Sequence, residues 1–352
     1  MTIAELLKYA ADHKASDLFL KVGVPPNMRV HGKIQPTALP KLTAADTRAL
    51  TDSIMSERQA RIFEEKHEVD LAFTVENVAR IRTNIYMQRG TVAACLRLIP
   101  LEIYTLDDLL MPQPLKDLCR YKQGLVLITG PTGCGKSTTL AAMIDLINET
   151  RRSHIVTVED PIEFVHNDKQ AIVSQREVGI DTDTFADALR VVVRQSPDII
   201  LIGEMRDIPT MHACLQAAET GHLVFSTVHT SSAAETMERI VNMFPPHEKA
   251  QVCLRLSLSL LGIVAQKLLP RIDVPGRIAA IEVMMSTPTV SKLIEEGRSS
   301  QIYEAIKEGS FWGMQTMNQC LVKYFKAGII SEEEAMHNAG NVTELRQLLR
   351  KP

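Results

Sequence analysis

The period of the apolar positions changes several times along the chain, and each change marks an element. Residues 3–13 carry apolar side chains at helical spacing with charges between them, which predicts an amphipathic helix. DLFLKV at 17–22 reads as a strand, Pro25-Pro26 breaks the chain, and MRVHGKI at 28–34 resumes an extended pattern. Residues 43–66 read as helical with charges on one side. VDLAFTV (69–75), ARIRTNIYMQ (79–88) and TVAACLRLI (91–99) then read as consecutive antiparallel strands, with Arg89-Gly90 suited to a tight hairpin turn. Residues 1–99 are thus an α+β domain with a meander. Residues 100–121 contain Pro100, Pro112 and Pro114 and read as an interdomain linker holding a short helix.

From 122 the pattern becomes buried strand, loop, helix, repeated. The predicted strands are GLVLITG, HIVTVED, IVSQREV, DIILIGE and LVFSTVH; the predicted helices are 136–149, 184–195, 207–219 and 233–242. Continuous apolar strands alternating with amphipathic helices imply an α/β core with a parallel sheet covered on both faces. That core is assigned to 122–286. Residues 287–352 read as a C-terminal helical region of short segments ending near Lys351.

The length of 352 residues suits two domains, and 45% hydrophobic with 23% charged residues suits folding around real cores. A net charge of −3, aromatics at 5% and the absence of a basic stripe interleaved with aromatics argue against a nucleic-acid motor or binder. None of the six cysteines forms a CxxC pair, so buried or free thiols in a reducing cytoplasm are expected. The N-terminus has charges throughout and no apolar signal core. The most apolar late stretch, Leu254 to Leu269, is interrupted by Arg255, Gln266 and Lys267 and is too short and polar to span a membrane.

Gly130, Pro131, Thr132, Gly133, Cys134, Gly135, Lys136 and Ser137 form a full GxxxxGK[ST] match, continued by Thr138, after an apolar strand and before a helix. A chain of this length meets that pattern by chance on the order of one time in a hundred. The glycines let the backbone curl so that N–H groups face a phosphate, and the following helix adds its positive end. Lys136 would reach the β- and γ-phosphates of ATP, and Ser137 would offer its hydroxyl to Mg²⁺.

The strand DIILIGEMRD ends in an unusual way. Where a magnesium-holding aspartate is usual after such an apolar run, Gly203 stands, and Glu204 follows. The residues alone leave two readings open: a degenerate ATPase, or one that uses its carboxylates differently. A second acidic cluster, Glu159, Asp160 and Glu163, follows the preceding buried strand, and strand ends of an open α/β sheet meet at the ligand crevice. Magnesium would then rest on Ser137, phosphate oxygens and water, and Glu204 would orient or deprotonate the attacking water. His222 and His229 flank a further apolar strand, with His229 where a γ-phosphate sensor would sit.

GPTGCGKST, VEDPIEF, IGEMRD and ETGHLVFSTVHT together resemble the Walker A, Asp box, atypical Walker B and His box signatures of the secretion ATPase superfamily. ASDLFLKVGVPPNMRVHGKI near the start and GMQTMNQCLVKYFKAGIISEEEA near the end extend the resemblance over essentially the whole chain. It is closest to the PilT/PilU branch of type IV pilus retraction motors. PilB and the type II secretion ATPases carry an extra N-terminal domain and a tetracysteine zinc site, and no counterpart of either is read here.

The resemblance implies a PAS-like N-terminal domain, a RecA-like P-loop ATPase domain, a homo-hexameric ring, and nucleotide bound between the domains. It assigns the catalytic glutamate to Glu204, with Glu163 and His229 assisting, and Glu159 and His222 among the nucleotide contacts. It gives the hairpin arginines a role as arginine fingers, with Arg82 and Arg97 favoured over Arg80; Arg190, Arg194 and Arg206 are candidates for intersubunit or phosphate contacts. The implied partners are the PilC-like inner-membrane platform protein and a paralogous ATPase. The implied place is the cytoplasmic face of the inner membrane, held by protein contact. The implied work is pilus retraction by ATP-driven domain closure, with an accessory PilU-like motor, an assembly or secretion motor and a poorly hydrolysing scaffold as alternatives. One departure stands out: Thr289 to Glu296 aligns with the AIRNLIRE signature of PilT proteins, but Ser291 and Glu295 replace its two arginines.

Overall fold

A computed structural model describes residues 2–30, 32–76, 78–99 and 102–350. His31 in the second extended stretch, Pro100 at the expected start of the linker and Lys351 at the expected end of the last helix lie outside the described residues. The chain divides into two compact units: Met1–Glu102 with Glu163–Val165, and Ile103–Ile162 with His166–Pro352.

In the first unit, Thr2 starts helix α1 (Ile3–Asp12): its side chain accepts from the Glu5 amide, and its own amide donates to the Glu5 carboxylate. Strands β1 (Ala15–Leu20), β2 (Asn27–Val30) and β3 (Lys33–Pro36) follow. The single extended stretch expected at 28–34 is a hairpin, because Gly32 at φ 79° lets the chain reverse. The helical stretch expected at 43–66 is two helices, α2 (Ala44–Asp52) and α3 (Glu57–Lys66), because Ser56 caps the second by accepting from the Gln59 amide. The meander is β4 (Glu68–Val75), β5 (Ala79–Gln88) and β6 (Thr91–Ile99). The sheet order is β3-β2-β1-β6-β5-β4, antiparallel throughout. Along β5 the period is two: Ala79, Ile81 and Ile85 join Leu6, Leu7 and Phe63 of the helices in one core, while Arg80, Arg82 and Asn84 face the other way.

The second unit begins where a linker was expected. Helix α4 (Gln113–Leu118) buries Leu115 and Leu118 completely, and Leu106 packs with them, so residues 103–121 group with this unit. Next come β7 (Gly124–Thr129), α5 (Lys136–Thr150), β8 (His154–Glu159), β9 (Ile172–Glu177), α6 (Phe185–Val192), β10 (Ile199–Ile202), α7 (Ile208–Glu219), β11 (Leu223–Val228) and α8 (Ala233–Met243). The apolar stretch at 254–269 is the end of α9 (Lys249–Ser259) joined to β12 (Leu260–Pro270), which forms an antiparallel pair with β13 (Arg277–Met285). The seven strands run in the order β13-β12-β7-β11-β10-β8-β9, parallel except for β13. Side chains of β7 alternate between two cores, Leu125 and Leu127 into one and Val126 and Ile128 into the other, which is why every position of the strand is apolar or small.

The C-terminal helices α10 (Pro288–Glu295), α11 (Ile302–Glu308), α12 (Met317–Lys326), α13 (Glu332–Asn338) and α14 (Val342–Arg350) form no separate body. Val290, Ile294, Ile302 and Ile306 enter the first core, and Leu321, Ala335 and Leu345 pack with Leu269 and Ile278 of the β12–β13 hairpin.

His166 shows how tightly this unit is closed. Its Nδ1 lies 4.0 Å from Asp145, whose carboxylate is taken by Lys169 at 2.8 Å, and Nδ1 itself has no hydrogen-bond partner. Burial pushes its pKa down to about 4, against the pull of Asp145. Between that value and the ordinary 6.5 the unfolded chain binds a proton that the folded chain refuses, so stability falls as pH drops through this window, by about 3 kcal/mol when complete. Urea unfolding at pH 4 to 7 should show a shallower loss for His166→Asn than for the parent chain. Parallel curves would contradict this.

Candidate nucleotide site

The parallel register decides which side chains meet. Val228 of β11 pairs with Thr129 of β7, so His229 stands level with Gly130 at the start of the phosphate loop. Ile202 of β10 pairs with Val158 of β8 and with Ser226 of β11, so the chain after β10 emerges beside Glu159. One edge of the sheet therefore carries the phosphate loop, Glu159, Glu204 and His229.

The loop itself is built around three glycines with positive φ: Gly130 at 147°, Gly133 at 79° and Gly135 at 91°. A Cβ on Gly130 would meet the Gln266 carbonyl oxygen at 2.4 Å and the Cys134 Sγ at 2.5 Å, so only glycine fits. Pro131, Thr132 and Gly133 are exposed, whereas Cys134 and Lys136 are buried. Lys136 Nζ donates to the carbonyls of Gly130 at 2.8 Å and Pro131 at 3.0 Å, so its charge lies along the loop. Gly135 caps the fifteen-residue α5, whose first turn presents Lys136, Ser137 and Thr138. A glycine-curled loop, a buried lysine and a helix N-terminus fit a polyphosphate, and the half-buried Ser137 hydroxyl fits a magnesium ligand.

Gly203 follows β10 closely against its neighbours: a Cβ there would stand in ordinary contact with the Glu159 Cα and the Phe185 ring, 3.5 and 3.6 Å away. Glu204 carries the charge instead. Its side chain is only 12% exposed and is held from both sides, by Arg206 Nη2 at 2.5 Å and by His229 Nε2 at 3.4 Å. Thr227 Oγ1 donates to the Gly203 carbonyl at 2.6 Å and fixes the backbone beneath it. The pKa of His229 is lowered, chiefly by burial and then by the Lys136 charge, with Glu204 opposing, so the imidazole is neutral at pH 7. Glu159 accepts from Thr157 Oγ1 at 2.7 Å and Gln175 Nε2 at 3.1 Å, which orients it at the same edge.

His222 is not brought there. It precedes β11, its carbonyl accepts from the amide of Gly124 at the start of β7, and its ring Nδ1 lies 2.9 Å from the Ala217 carbonyl. The six-residue strand leaves it roughly 20 Å from the phosphate loop of its own chain, at the opposite sheet edge. Asp160 and Glu163 are exposed, and Glu163 is grouped with the first unit. On α6, Arg190 is exposed beside Asp187, and Arg194, in the 3-10 turn that follows, is also exposed.

In the first unit, the register aligns Arg82, Arg97, Asp17 and Arg29 in one row across β5, β6, β1 and β2. Asp17, 5% exposed, binds Arg97 at 3.1 Å and Arg29 at 3.2 Å. Two arginines directly opposite each other oppose folding.

A family model described as type II/IV secretion system protein matches residues 2–337. The chain belongs to that family. It is 48% identical over 339 residues to the type IV pilus retraction ATPase PilT of Pseudomonas aeruginosa, covering 96% of this chain and 98% of that one. It is 41% identical over 350 residues to the type IV pilus ATPase PilU of the same organism, covering 99% and 92%. A crystal structure of the pilus retraction motor PilT with bound ADP superposes with a TM-score of 0.92 at 46% identity, covering 99% of each chain.

Gln266 is a site residue that the sequence motifs do not contain. Buried on β12, it accepts from Thr139 Oγ1 at 3.0 Å and donates to the Cys134 carbonyl at 2.7 Å, bracing the phosphate loop against the sheet. Its visible signal is a polar amide inside an apolar strand, which must find partners when buried. Gln266→Leu removes both bonds and leaves the Thr139 hydroxyl and the Cys134 carbonyl without them. Nucleotide affinity, read by titration with a fluorescent ATP analogue, should fall roughly tenfold as the lost bonds loosen the loop. Unchanged affinity would show that the loop holds its shape without Gln266.

Proposed function

We propose that this chain is an ATP-hydrolysing motor that powers type IV pilus retraction. The observation that carries this reading is the pairing of Glu204 with His229 and Arg206 at the sheet edge that also holds the phosphate loop. The similarity to PilT over nearly the full length of both chains gives the chemistry its setting.

Lys136 and the N-terminal amides of α5 hold the phosphates. Magnesium, held by Ser137, would supply charge neutralisation at the transferring phosphoryl group. Glu204 takes up a proton from the attacking water, or orients that water. Its position between Arg206 and His229 keeps the carboxylate aimed as the water approaches. Neutral His229 reads the γ-phosphate and, once it leaves, returns to Glu204. Glu159 supports the same edge and Glu163 assists. Arg82 and Arg97 act as arginine fingers, with Asp17 holding Arg97 ready. Lost phosphate contacts let the closed form reopen, and a homo-hexameric ring turns these steps into motion of a platform protein at the cytoplasmic face of the inner membrane. No helix among the described residues is long and apolar enough to cross a membrane.

A PilU-like accessory role, dependent on a paralogous ATPase, is the second reading, and α10 favours it. Where the retraction signature carries arginines, Ser291 bonds Ser286 at 3.0 Å, and Glu295 pairs with Lys292 at 3.1 Å. This surface thus presents reversed charge to a partner while its buried Val290 and Ile294 keep the helix in place.

Glu204→Gln tests the chemistry. The variant should bind ATP with parent-like affinity and lose about 10²- to 10⁴-fold in turnover. Steady-state hydrolysis at the parent rate would remove Glu204 from its role.

A further inference from the structure

Glu282 lies on β13, 2% exposed, and takes no part in the chemistry above. Its two oxygens are shared between two helices. Oε1 accepts from the Ala233 amide at 2.8 Å, and Oε2 accepts from the Met317 amide at 3.4 Å. These are the first residues of α8 and α12. Each helix has its own cap, Ser232 accepting from Glu235 and Thr316 accepting from Gln319, but those bonds leave the first-residue amides to find another acceptor. One buried carboxylate at the positive ends of two helices is held by both and holds both. Burial raises its pKa, while the two amides and Lys267 pull it back.

The α8 end leads directly to the site. His229 to Ser232 is the short connection between β11 and α8. It is fastened to the helix residue by residue: Arg239 Nη1 donates to the His229 carbonyl at 2.8 Å, Thr230 Oγ1 and Thr236 Oγ1, both buried, are 2.6 Å apart, and the Ser231 amide donates to the Glu235 carboxylate at 2.8 Å. The connection therefore cannot shift without the first turn of α8, and Glu282 anchors that turn. The α12 end leads to the C-terminal helices packed on the β12–β13 hairpin.

We propose that Glu282 is a positioning residue that clamps the first turn of α8 to that of α12, and so sets His229 opposite Glu204 and ties its position to the C-terminal helices. The proposal rests on the reading of Glu204 and His229 given above. Glu282 touches neither phosphate nor water and acts only through His229.

A double-mutant cycle on the purified full-length chain tests it, with kcat, KM for ATP and melting temperature measured for Glu282→Ala, His229→Ala and the double variant. Glu282→Ala should lower kcat roughly 10-fold or more with KM changed less than about 2-fold, since a small misplacement of a working group costs this much. The double variant should be no slower than His229→Ala alone, since removing the imidazole leaves Glu282 nothing to position. Glu282→Gln, with one acceptor oxygen left, should fall between, and it replaces the alanine variant in the cycle if that does not fold. Leu321→Ala, in the core beneath α12, is the control for destabilisation alone and should keep its kcat. Multiplying losses in the double variant, or an equal kcat loss in Leu321→Ala, would overturn the positioning role and leave the site reading intact. Full activity of His229→Ala would overturn the site reading itself.

Discussion

The parallel register of β7, β11, β10 and β8 is the constraint on which the rest depends. Four strands that start level and point the same way end level, and whatever follows each of them shares one edge. Strand, turn and helix repeat without regard to sequence distance, so Gly130, Glu159, Glu204 and His229, spread over a hundred residues, become neighbours. The same register separates His222 from His229, since one precedes the strand and the other follows it.

Around that edge, buried polar groups serve as brackets. Gln266 ties the phosphate loop to β12, and Glu282 joins two helix starts. Each would weaken the fold if left without partners, and each is satisfied by groups whose position matters to the site. Lys136, Glu204 and His229 form a charge set of a different kind. The cation and the carboxylate act on the imidazole in opposite senses, and burial tips the balance toward the neutral ring. A neutral His229 can exchange partners between Glu204 and a phosphate without carrying a charge of its own into the exchange.

Much of this was legible in the amino-acid order. The phosphate loop is a spacing rule, the strands of the second unit are continuous apolar runs, and the hairpin meander of the first has a clear period of two. The β12–β13 pair was not legible, because residues 254–269 run from a helix into a strand inside one apolar stretch and give no change of period at Leu260. The two helices within 43–66 were merged because the break at Ser56 is a capping serine in a charged segment, with no proline or glycine to mark it. Gln266 was visible only as a polar break in an apolar stretch and Glu282 not at all, because a polar residue in a strand reveals its partners only when the neighbouring strands and helices are in place. That His222 lies at the far end of β11 from the phosphate loop was legible from its position ahead of that strand in a parallel sheet.

A retraction motor and an assembly motor share the phosphate loop, the catalytic glutamate and the RecA-like sheet, so hydrolysis alone does not separate them. The most direct test is the number of surface pili, counted by electron microscopy, on cells lacking only this gene and on the same cells supplied with either the parent gene or the Glu204→Gln gene. Retraction predicts excess pili in the deletion strain, normal numbers with the parent gene, and continued excess with Glu204→Gln. Bare cells in the deletion strain would mean that the chain drives assembly, and would contradict the account.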